Sequence, residues 1–146
     1  MKLISFLCLL GIFTSLFSCK SREYPTDNYE DLKIIFGSGG GFTGMYTYYS
    51  LLENGQIFEK GPQAEGYTYI DKISRKKAAS FFGKMTQFME DGLARNTPGN
   101  MNYFVKLEGQ EKKPYELQWA AGQDDVDSTI IELFHSLNEL VPKEKP

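Results

Sequence analysis

The chain predicts an α+β domain: a mainly antiparallel sheet built from hairpins, with two amphipathic helices packed on one face. Three observations carry that prediction. Apolar and aromatic residues alternate over several short segments separated by glycine, asparagine and proline, as in hairpin-connected strands. Two longer segments switch to three- and four-residue spacing of apolar side chains, the mark of helices that bury one face. Most links between neighbouring strands are too short for a crossover helix, so those neighbours run antiparallel.

Residues 32–36 are β-branched and aromatic and run into Gly37-Ser38-Gly39-Gly40-Gly41, read as a strand followed by a loop of very low steric demand. The tyrosine-rich Met45–Leu52 is the next strand, and Gln56–Lys60 resumes the extended pattern after Glu53-Asn54-Gly55. Asn-Gly between such runs predicts a type I′ turn, because both residues accept positive φ. Residues 61–66 form a loop with Pro62, and 67–71 read as a short extended segment.

From Ser74, read as the N-cap, the period changes: Ala78, Phe81, Phe82, Met85, Phe88 and Met89 share one helical face. Asp91-Gly92 should stop this helix. Residues 96–100 form a turn cluster, after which Tyr103, Val105 and Leu107 define the apolar face of a strand. A polar turn at 109–113 leads to Tyr115, Leu117 and Trp119, the second strand of another hairpin. Asp124, Asp125 and Asp127 crowd the start of a last helix, where acids suit the dipole, and Ile130, Leu133, Phe134, Leu137 and Leu140 form its apolar stripe. The order is therefore β-β-β-α-β-β-α, with Pro142 ending the fold.

At 146 residues, 41% of them hydrophobic, the chain is sized for one domain with a buried core. A formal net charge of -3 argues against a nucleic-acid partner held by phosphate neutralisation. One histidine and two cysteines are too few for a four-cysteine or two-cysteine, two-histidine zinc site, and no metal and no cofactor is expected.

The N-terminus reads as an address. Lys2 precedes an apolar run over 3–17 that is shorter than the roughly 20 residues needed to span a bilayer. It ends in Leu16-Phe17-Ser18-Cys19, which resembles the lipobox of bacterial lipoproteins, with Phe17 in place of the usual small residue. The resemblance implies a signal peptide over 1–18 and acylation of Cys19 with diacylglycerol and a palmitate-like N-acyl chain, a two-signal membrane anchor. Residues 19–31, polar and without an aliphatic side chain, are the expected tether, 32–141 the single domain, and 142–146 a tail. Lys20 after the cysteine resembles lipoproteins forwarded to the outer membrane, so the expected location is the cell envelope.

Few residues invite catalytic chemistry, and none is assigned a catalytic role. Gly39, Gly41 and Gly44 satisfy G-x-G-x-x-G, but the residues that follow are extended rather than helical, so the loop lacks the helix N-terminus that would face a phosphate. His135 falls off the apolar stripe of the last helix and reads as a surface residue, and no G-x-S-x-G elbow occurs. The three aspartates lack EF-hand spacing and read as helix caps. A carboxylate pair for glycoside chemistry is not marked among the 19 acids. Tyr46 and Tyr48 share one strand face while Tyr49 takes the other, so one face can present aromatic surface to a partner.

The strand running into Gly39-Gly40-Gly41-Phe42-Thr43-Gly44, with the later helix, the Tyr103-to-Leu107 strand and the terminal leucine-spaced helix, resembles emfourin-type proteins. These are small bacterial inhibitors of thermolysin-like metalloproteases. The resemblance covers about 32–141, and only Gly39, Gly40, Gly41, Phe42 and Gly44 match residue by residue. It implies a non-catalytic binding module whose loop or edge strand occludes a protease cleft, with Ser38, Gly39, Gly40, Gly41, Phe42, Thr43 and Gly44 as the partner-binding segment. The leader, the Asn54-Gly55 hairpin and the long 61–73 segment depart from that pattern. The alternative is a structural or assembly lipoprotein of the envelope, with the tyrosine-rich face as a permanent interface.

Overall fold

The computed structural model describes residues 29, 31–109 and 112–143. The leader, Cys19 and most of the tether lie outside the described residues. The elements are β1 (Lys33–Gly40), β2 (Met45–Leu52), β3 (Gln56–Lys60), β4 (Thr68–Lys72), α1 (Arg75–Glu90), β5 (Asn96–Thr97), β6 (Met101–Gly109), β7 (Lys112–Ala120) and α2 (Ser128–Asn138). The strands form one sheet in the order β4-β3-β2-β1-β6-β7-β5, antiparallel at every step except β5 against β7. The α+β architecture expected from the periodicities is thus the one the chain adopts.

Residues alternate along each strand, so one face of the sheet carries Ile34 and Phe36 of β1, Leu51 of β2, Val105 and Leu107 of β6, and Leu117 and Trp119 of β7. Against that face pack Ala78, Phe81, Phe82 and Met85 of α1, and Ile130, Leu133 and Leu137 of α2. Phe134 meets Trp119 edge-on, with ring centroids 5.3 Å apart, and Tyr103 at 5.1 Å. Each fully buried large side chain contributes on the order of 2 kcal/mol from water exclusion. Leu52, Phe58 and Phe104 are also buried but stand outside this cluster, on the opposite face.

The helix starts follow their caps. Ser74 Oγ accepts the Lys77 N–H at 3.2 Å, and the Asp127 carboxylate accepts the Thr129 N–H at 2.8 Å. The hydrogen bond from the Thr129 hydroxyl, at 2.6 Å, and after it the one from the Thr129 N–H hold the Asp127 carboxyl below its ordinary pKa. Of the three aspartates read as caps, only Asp127 is one. Asp125 instead pairs with Arg95 at 2.7 Å, which lowers its pKa, and Asp124 lies ahead of the helix.

Three local expectations change. The strand does not stop at Phe36: Gly37 to Gly40 continue β1, because a strand pairs with them on each side. The turn cluster at 96–100 begins with a two-residue strand, parallel to Gln118 and Trp119, that closes one sheet edge. The Asn54-Gly55 turn is not type I′, since only Gly55 has positive φ, at 90°. Its N–H donates to Leu52 O at 2.9 Å, making a three-residue loop that ends in a left-handed glycine. Asn54 turns its side chain to Gln56, accepting that residue's N–H at 2.9 Å.

Candidate functional site

The segment 38–44, expected to act as one loop, is divided by the sheet. Ser38, Gly39 and Gly40 are strand residues facing Thr47, Tyr46 and Met45 across β2, and Tyr103, Asn102 and Met101 across β6. Only Gly41, Phe42, Thr43 and Gly44 form the turn. Gly41 and Gly44 take φ of 70° and 63°, a region that costs other residues roughly 1–2 kcal/mol. This hairpin joins the central strand of the sheet to its neighbour, so the tip projects from the end of the sheet and not from an edge strand.

Phe42 is fully solvent-exposed at that tip, with a relative accessibility of 107%. Met45 and Met101, the two register partners of Gly40, are exposed beside it. The turn itself is anchored. Gly41 N–H donates to Asn100 O at 2.5 Å and Gly44 N–H to Gly41 O at 3.2 Å. Buried Asn102 holds the neighbouring loop, accepting Gly99 N–H at 2.7 Å and donating to Gly99 O at 3.1 Å and to the Tyr46 hydroxyl at 3.4 Å. An apolar side chain is thereby presented on a hydrogen-bonded support, which reduces the ordering a partner must impose.

Gly39, Gly41 and Gly44 do not form a phosphate loop, as expected, because Met45 opens β2 where a helix would have to start. His135 lies exposed on α2. Among the described residues, no three His, Cys, Asp or Glu side chains group as a metal site would require.

A second feature occupies the face of the sheet opposite the helices. Tyr46 and Tyr48 project from β2 and Phe104 from β6, with Phe104 centred 6.2 Å from Tyr46 and 5.4 Å from Tyr48. A β-carbon on Gly37 would stand 3.1 Å from Phe104 Cζ, and one on Gly39 2.5 Å from Tyr46 Cδ1. The rings therefore lie over Gly37 and Gly39 of the central strand. Together with Ile35, Tyr67, Lys106, Glu116 and Gln118 they line a cup of about 330 Å³. Burial raises the Tyr48 hydroxyl above its ordinary pKa, with smaller contributions from Tyr46 and Glu116, so Tyr48 stays protonated at neutral pH.

The tyrosines of this cup stand out in the sequence, and the faces assigned to Tyr46, Tyr48 and Tyr49 are the observed ones. Phe104, Lys106, Glu116 and Gln118 were not picked out, because only the register of β6 against β1 and β7 carries them to Tyr48. Met101 and Asn102 beside the tip were missed for the same reason. No protein-family model matches the chain, and no curated protein matches it.

Proposed function

We propose that this protein is a non-catalytic binding module, tethered to a membrane through lipid on Cys19, whose hairpin tip blocks the cleft of a thermolysin-like metalloprotease. The observation that carries the reading is the exposure of Phe42, flanked by Met45 and Met101, on an anchored turn at the end of the sheet's central strand. Large exposed apolar side chains grouped at one place mark contact surface for a protein partner. The resemblance of the Gly39-to-Gly44 segment to emfourin-type inhibitors supplies the class of partner. The lipobox-like Leu16-Phe17-Ser18-Cys19 supplies the tether.

The tip stands at the opposite end of β1 from Lys33, where the chain enters the sheet. A tether over 19–31 delivers the chain to that end of β1, so Phe42 stands at the end of the sheet away from the tether's point of attachment. This is the arrangement that serves capture of a partner in the surrounding compartment.

The test is titration of residues 21–146 into a thermolysin-like peptidase, following cleavage of a small peptide and checking that the inhibitor stays intact. The expected result is submicromolar inhibition that Phe42→Ala weakens at least tenfold. No inhibition by the folded domain overturns the inhibitor reading and leaves an assembly role in the envelope. Labelling with radioactive palmitate tests the anchor separately: the unsubstituted chain should incorporate label and Cys19→Ser should not.

A further inference from the structure

The cup on the open sheet face lies apart from the hairpin tip, and its chemistry is different. An antiparallel sheet with one face on the core ordinarily turns polar side chains to the other. Here the middle of that other face holds Tyr46, Tyr48 and Phe104 lying over Gly37 and Gly39, and beside the rings stand side chains of both charges and an amide. Lys106 is ion-paired with Glu108, which also meets Lys33 at 3.4 Å. Glu116, facing Lys106 in the register of β6 and β7, has no ion-pair partner among the described residues. The side-chain amide of Gln118, two residues further on the same face, makes no hydrogen bond among them either.

These groups discriminate between ligand classes. An anionic ligand would meet a lysine already neutralised by Glu108 and an unpaired carboxylate at Glu116, so phosphates and carboxylates are disfavoured. A purely apolar ligand would take water from Glu116, Gln118 and Lys106 without replacing its hydrogen bonds, which disfavours that class as well. A neutral polyhydroxylated ring suits both surfaces, since its C–H face stacks on aromatic rings while its hydroxyls reach a carboxylate and an amide. The cup, about 330 Å³, is of a size for a short saccharide.

We infer that this cup is a saccharide-binding site, with a neutral sugar stacked against the half-exposed rings of Tyr46 and Tyr48, which rest on buried Phe104, and its hydroxyls held by Glu116 and Gln118. The site does not depend on the protease reading, because it uses no residue of the 41–44 turn.

The full chain, solubilised in a detergent without a sugar headgroup, is titrated with chitotriose, cellotriose and maltotriose to about 10 mM, a range that detects weak complexes. Backbone amide resonances are followed. The expected result is saturable shifts from at least one saccharide, centred on Gly37, Tyr48, Phe104 and Gln118 and sparing Phe42 and Thr43. Glu116→Gln and Gln118→Ala sit at exposed or half-exposed positions and leave the domain folded, and each should raise Kd about tenfold. The inference is overturned if no saccharide shifts these resonances in a folded chain, if the shifts gather at the turn, or if both variants bind as the unsubstituted chain does.

Discussion

A β-carbon placed on Gly39 would stand 2.5 Å from Cδ1 of Tyr46, its cross-strand partner, and equally close to the Tyr46 Cα. The glycine is therefore a spatial requirement of the aromatic face rather than a point of flexibility. Gly39→Ala should destabilise the domain by about 3 kcal/mol, the upper part of the range for overpacking, because backbone as well as a ring must move. Urea denaturation checks this. As a contrast, Gly83 is exposed in the interior of α1 with open space around its Cα, and Gly83→Ala should stabilise by about 1 kcal/mol.

Phe42 touches solvent on every side, so Phe42→Ala should leave unfolding free energy within about 0.5 kcal/mol of the unsubstituted chain. Any loss of partner binding in this variant then belongs to the contact itself. A destabilisation of several kcal/mol by calorimetry would mean that the side chain is packed, contrary to its exposure.

Asn102 acts on the tip without reaching it. Its amide satisfies both polar backbone groups of Gly99 and contacts the Tyr46 hydroxyl, and the adjacent Asn100 carbonyl receives the Gly41 N–H. Asn102→Ala should cost about 2 kcal/mol, since buried partners lose their hydrogen bonds. Amide hydrogen exchange at Gly41 should accelerate more than at Gly55, whose turn is held by a separate set of bonds. Equal acceleration at both would show a global effect only.

Glu108 links stability to pH. Its carboxyl is held below the ordinary 4.5, first by the hydrogen bond from Lys106 and, against the opposing effect of burial, by the charges of Lys106 and Lys33. A folded-state pKa below the unfolded one means stability that is present above pH 4.5 and is lost as pH falls through the depressed value. Glu108→Gln should therefore be less stable at neutral pH by under about 1 kcal/mol, given the partial exposure of the pair. The difference from the unsubstituted chain should close as pH falls below 4.5. A constant gap down to strongly acidic pH would assign the effect to packing.

Tyr115 donates its hydroxyl to Leu93 O at 2.7 Å, closing the segment after α1 onto β7. Tyr115→Phe should cost about 1 kcal/mol and leave the tip and the cup unaltered. Thermal unfolding of the variant, together with its inhibition and saccharide titrations, separates this structural contact from the functional ones.

Much of the architecture was legible in the residues before any fold was drawn. The apolar stripes of α1 and α2, the Ser74 cap and the alternation along β2, β6 and β7 are local patterns with a period set by backbone geometry, and nothing distant changes them. Glycine misled for a physical reason: Gly37 and Gly39 carry weak strand preference, yet pairing with β2 on one side and β6 on the other holds them extended. The same limit applied to Asn54, whose side chain found Gln56 and left only Gly55 in the left-handed region.

The sequence by itself determined both helices, most of the strands, the hairpin order and the division of Tyr46 and Tyr48 from Tyr49 between the two sheet faces. Tertiary structure alone decided that β1 lies at the centre of the sheet, that Phe42 projects from its end, and that Phe104, Glu116 and Gln118 gather around Tyr48. The reason is register. Positions two apart on one strand can be read locally, but which strand stands beside which is a contest among many pairings, settled only when the helices bury one face of the whole sheet.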